Sequence, residues 1–176
     1  MKNFLLFISV SAALSLSSCG GGKTTTTDES VPPGMMALDL SKYGKNVIIN
    51  VPDSTNGTLS VDNSMGDMVR IVVGKSFQID LKEGEGNMDM KKNEDIKKSE
   101  VYKLDKFDLE EPNAIIWSWH MEGKPAEFCT FNVVKLGAIT YEIESVAGEI
   151  FSMEACKKMS DSAKSLRAKE TKKPDA

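Results

Sequence analysis

The sequence predicts an α+β fold: an antiparallel sheet of five to seven strands with a C-terminal helix packed on one face. Three observations carry this. Between Val47 and Ser145, short runs alternate apolar and polar residues and are separated by turn residues, the period of half-buried strands. From Ala114 to Ser145 three such runs follow each other closely, which reads as an antiparallel meander with one apolar and one wet face. From Ser152 to about Ala168, apolar residues recur at helical spacing instead. One apolar helix stripe and one apolar sheet face must cover each other. A single domain over 36–170 accommodates these elements, followed by a polar tail, 171–176.

Leu38-Asp39-Leu40 opens the domain, and Ser41 to Gly44 reads as a helical turn closed by glycine. Val47, Ile49 and Val51 mark a strand ending at Pro52, and Asn56-Gly57 marks the turn after it. Thr58 to Val61 is short and extended. Met68 to Leu81 holds the longest early strand signal, and Gly74 inside it implies a bulge or a tight hairpin. Residues 87–100 are rich in charge, with Met88, Lys92 and Ile96 at helical spacing, a mostly solvated helix. Strand character returns at Val101 to Glu111.

In the meander, Ile115, Trp117, Trp119 and Met121 share one face, with Ile116, Ser118 and His120 on the other. Cys129, Phe131 and Val133 oppose Thr130 and Asn132, and Tyr141 and Ile143 oppose Glu142 and Glu144. The Trp and Cys129 face is read as the inner one. In the final helix, Ser152 caps, Phe151 and Cys156 occupy the places of a hydrophobic staple, and Met153, Cys156, Met159, Ala163 and Leu166 form the stripe. Glu154 and Lys158 form an i,i+4 pair in the favourable order.

Cys156 on that stripe and Cys129 on the inner face are therefore placed to bridge, a link typically worth about 2–4 kcal/mol when unstrained. The alternative is two buried thiols, since cysteine is among the most buried residue types.

Little in the chain points to chemistry. The net charge is −4, without the clustered cations a nucleic-acid partner demands. His120 is the sole histidine, and Ser118 is too far along the strand to pair with it directly. Asp105 and Asp108 lack calcium-loop spacing. One histidine with two scattered cysteines does not form a zinc site. No phosphate loop or nucleophile elbow is present, so no catalytic, cofactor-binding or metal residue is assigned. Trp117 and Trp119 match the aromatic pairs of sugar-binding modules, but alternation with Ser118 and His120 favours core packing.

The amino terminus is more specific. Lys2 is followed by a thirteen-residue apolar run, Phe4 to Leu16, then Leu16-Ser17-Ser18-Cys19. The run is too short for a membrane span. This pattern resembles a bacterial lipoprotein signal with its lipobox. The resemblance implies removal of residues 1–18 and acylation of Cys19. Two or three acyl chains hold a protein at a membrane almost permanently. Gly20 in place of Asp implies the outer membrane. Loss of residues 1–18 removes only Lys2 among the charges, so net −4 becomes −5. Residues 19–35, rich in Gly and Thr and ending in Pro32-Pro33-Gly34, read as a flexible linker. Export also places Cys129 and Cys156 in an oxidising compartment.

Leu38 to Gly44, Gly74-Lys75-Ser76-Phe77, Phe151-Ser152-Met153-Glu154 and Ser165-Leu166 resemble stretches of Bacteroidetes-type lipoproteins of uncharacterised activity. The last third is also similar to PsbP-like domains, an antiparallel sheet backed by helices. Together these imply a lipid-anchored cell-envelope protein, a non-enzymatic binding or assembly module with the membrane and an envelope protein as partners. The alternative is a periplasmic enzyme, or a carrier of a small apolar ligand held between sheet and helix.

Overall fold

The computed structural model describes residues 31–120 and 123–169. The signal segment, Cys19, most of the linker, Met121 and the tail from 171 lie outside the described residues. The described residues form ten strands in two antiparallel sheets. β1 (Met35–Asp39), β2 (Val47–Pro52) and β10 (Arg167–Ala168) make a small sheet in the order β1-β2-β10. β3 (Leu59–Asp62), β4 (Val69–Val73), β5 (Phe77–Glu83), β6 (Lys103–Glu111), β7 (Ala114–His120), β8 (Glu127–Leu136) and β9 (Ile139–Ser145) make the large one. Its order is β3-β4-β5-β9-β8-β7-β6. A short helical turn, α1 (Met88–Met90), runs into a π-helical stretch, Lys91–Ile96, and α2 (Met153–Lys164) is the main helix.

The α+β class and the seven-stranded antiparallel sheet agree with the alternation in the sequence, and the small second sheet is additional. Gly74 makes a tight hairpin: it takes φ +60° between β4 and β5, whose register runs from Val73↔Phe77 to Val69↔Leu81. The turn after β2 packs against it so closely that a Cβ on Gly57 would lie 2.6 Å from the Gly74 Cα. Ser152 caps α2 by accepting a bond from the Ala155 N–H at 3.2 Å. The helix stops at Lys164 rather than near Ala168, because Arg167 and Ala168 pair with Ile48 and Val47 of β2.

The main correction concerns which face α2 covers. It lies on the face bearing Ile116, Ser118, Thr130, Asn132 and Ile143, the one expected to be wet on β7 and β8. Ser160 Oγ of α2 donates to Asn132 Oδ1 at 2.7 Å, Asn132 Nδ2 donates to Thr130 Oγ1, and Thr130 Oγ1 donates to the Ile115 carbonyl. These polar groups are buried because they satisfy one another. The principal core joins α2 to β2, β4, β5 and β9 on that side, through Ile49, Ile71, Ile79, Leu81, Ile143, Cys156 and Met159.

The opposite face of β7 and β8 carries a second, smaller cluster of Ile96, Ile115 and Phe131, with Phe107, Trp117 and Val133 packed against it. The π-helical stretch covers this face. The sheet is thus clad on both sides over β7 and β8, by different elements.

Candidate functional site

A cleft of about 190 Å³ opens between the π-helical stretch and the sheet. Its position follows from strand parity. Trp117 and Trp119, two residues apart on β7, project to the same side as Cys129, which is paired with Trp117 in the neighbouring strand. Ile96 and Leu104 complete the apolar lining, and Tyr102 stands at the rim, 40 % exposed. The Tyr102 and Trp119 rings meet with centroids 3.9 Å apart at 53°. The Trp119 indole Nε1–H donates to Cys129 Sγ at 3.1 Å, fixing the ring.

Polar groups line the other wall. Lys91 Nζ pairs with Glu144 Oε2 at 2.7 Å and lies 3.7 Å from Asp95 Oδ2. The same ammonium sits 5.0 Å from the Phe131 ring centroid. Ser99 and Ser145 add hydroxyls to the lining. The wider turn of the π-helical stretch brings Lys91, Asp95 and Ile96 to the cleft together; such turns recur at functional sites. Asn87 starts this segment by accepting from the Met90 N–H at 2.9 Å.

The two cysteines are free thiols in the structure, the second of the two readings left open for Cys129 and Cys156. Parity explains it: Cys129 faces the cleft with Trp119, whereas Cys156 lies beneath α2 on the opposite side of the sheet. Burial pushes both thiols up, Cys156 to about 12, with the Trp119 and Ser145 hydrogen bonds opposing the rise at Cys129.

His120 is not isolated. Asp105 is the extra residue at a register shift in β6, and its Oδ1 lies 2.5 Å from His120 Nδ1. Ser118, on the same strand, is buried. Asp108, at a second register shift, takes Lys106 Nζ at 2.9 Å on Oδ1; its Oδ2 is buried without a partner among the described residues. No group of three or more His, Cys, Asp or Glu side chains among the described residues is placed to hold a metal. Among these residues, no helix is long and apolar enough to cross a membrane.

Sequence reasoning singled out Trp117, Trp119 and Cys129 but read them as core under the C-terminal helix. They are half-buried lining instead. Tyr102, Lys91 and Glu144 were missed as site residues. Their only signal was the acidic face of β9, Glu142 and Glu144, next to the apolar Phe131 and Val133 of β8 and a lysine-rich segment. No family model matches the chain, and no curated protein or solved structure proves similar to it. The resemblances to Bacteroidetes-type lipoproteins and to PsbP-like domains rest on the sequence motifs alone.

Proposed function

We propose that the protein is a lipid-anchored binding module of the cell envelope, carried on the outer membrane by acylated Cys19. Its ligand site is the cleft between the π-helical stretch and β7–β8. The observation that supports this reading is the lining itself: three aromatic side chains converge on one small concavity beside an ordered Lys91–Glu144 pair. An aromatic wall with a few fixed polar groups is the usual make-up of a small-molecule site. This retains the carrier reading but moves the ligand from beneath the C-terminal helix to the opposite face.

Two measurements test it. Full-length protein should fractionate with membranes, and Cys19→Ala should release it into the soluble envelope fraction; a variant that still sediments with membranes defeats the anchor. In detergent solution the indole fluorescence should respond to small amphipathic or aromatic probes, and Trp119→Phe should weaken that response.

One observation favours a second reading, an enzyme. A carboxylate held against Nδ1 is what orients a histidine base, and Ser99 shares a shallow hollow with His120. Labelling of a serine by an alkyl fluorophosphonate, lost in His120→Gln, would favour the enzyme.

A further inference from the structure

We infer that the cleft takes a single neutral pyranose ring, a sugar residue bound by stacking on its C–H face and by hydrogen bonds to its hydroxyl rim. This rests on the cleft being the ligand site.

Four features of the site select the class. The first is size. At about 190 Å³ the cleft falls below the ~300–1,000 Å³ typical of drug-sized ligands, so one ring fits and an extended chain does not.

The second is charge. Glu144 and Asp95 disfavour an anion, and Lys91 disfavours a cation. Lys91 balances Glu144 at 2.7 Å, and Asp95, its side chain half exposed to water, carries the remaining negative charge, so the site rejects an anion and leaves a neutral occupant unopposed.

The third is the cost of drying the polar wall. A purely apolar ligand would strip water from Lys91, Glu144 and the Ser99 hydroxyl and return no hydrogen bond. Burying the donor and acceptor positions that the Lys91–Glu144 pair leaves to water, with no partner in return, is expensive. A ring edged with hydroxyls, each both donor and acceptor, replaces the lost water.

The fourth is the aromatic wall. Trp117 and Trp119 line the cleft from one strand, and Tyr102, its ring 3.9 Å from that of Trp119, sits at the mouth. Indole and phenol faces carry negative π-density that attracts the weakly positive C–H hydrogens of a pyranose ring. Cys129 holds the Trp119 ring in position, so little order has to be gained on binding.

The test uses saturation-transfer NMR on the full chain, in a detergent without a sugar headgroup. The probes are the methyl glycosides of glucose, galactose, mannose and N-acetylglucosamine, with indole as the apolar ring of similar size. Irradiation of the protein should transfer saturation to at least one glycoside, most strongly to the ring C–H protons. Tyr102→Ala, a truncation at the exposed rim, should weaken that binding about tenfold or more while leaving the circular dichroism unchanged. Trp119→Phe should weaken it less. Binding of indole with no glycoside bound would overturn the sugar assignment and leave the cleft as the ligand site. Failure of every probe would overturn both. Glycoside binding indifferent to both substitutions would show that sugar binds elsewhere and would also overturn the assignment.

Discussion

At the scale of single residues, the telling groups are polar ones in dry places. Ser160, Asn132 and Thr130 form a closed chain of hydrogen bonds between α2 and β8, with Ser160 and Asn132 almost fully buried. Removing one hydroxyl leaves an acceptor stranded, which costs about 1–3 kcal/mol. Ser160→Ala is therefore expected to destabilise the protein by that amount in urea titration. The double variant Ser160→Ala/Asn132→Leu should recover part of the loss, because it removes both partners. If Ser160→Ala is neutral, α2 does not seat on this face. Cys156 makes a related point. Its thiol, held up to about 12 by burial, should react with an alkylating agent only as fast as the protein unfolds.

At the scale of elements, turns decide more than propensity does. Gly74 and Gly57 allow two turns to interlock, with no room for a side chain on either: a Cβ on Gly74 would meet the Asn56 carbonyl oxygen at 2.7 Å. Gly74→Ala adds left-handed strain of roughly 1–2 kcal/mol to that clash. Its melting temperature should fall clearly further than that of Ser152→Ala, which removes a cap worth about 1 kcal/mol.

Most elements were legible in the sequence because each carries its own period. The strands from Val47 to Ser145, the Gly44 and Gly74 turns and the Ser152 cap were all found locally. What could not be read locally was the face. The two-residue turn Gly137-Ala138 pairs Val133 with Glu142 and Asn132 with Ile143. Apolar positions on β8 therefore share a face with acidic positions on β9. Across β8 and β9 each side is apolar on one strand and polar on the other, so matching an apolar stripe to an apolar face fails there. The cleft was missed for the same reason, since its acidic wall comes from β9 and its aromatic wall from β7. β10 escaped notice because two residues carry no period.

At the scale of the whole molecule, stability should form a plateau bounded on both sides by ionisation. Hydrogen bonds from Lys169 and Ser41 hold the Asp39 carboxyl well below its ordinary value, and bonds from Thr55 and Ser64 lower Asp53 and Asp62. The unfolded chain takes up these protons near 3.8, before the folded protein does. Their contribution is complete above that pH and is lost as the pH falls below it. The thiols act in the opposite sense. Unfolded Cys156 ionises near 9.0 and folded Cys156 only near 12, so stability is lost between those values as pH rises. Thermal melts across pH should show both limbs. Cys156→Ala should flatten the alkaline limb and leave the acid one alone; an unchanged alkaline limb would place its origin elsewhere.

The small sheet has a further consequence. β2 is held on one edge by residues near the start of the described chain and on the other by residues at its end. Lys169 adds a clasp through Asn46, Asp39 and Ser41, and Arg167 another through Asn50. Synthesis delivers β10 after all the other described strands, so a nascent polypeptide cannot latch β2 on both edges until Arg167 and Ala168 have emerged. A ribosome-stalled intermediate halted just short of that clasp should stay open to proteases, and release of only a few more residues should lock it.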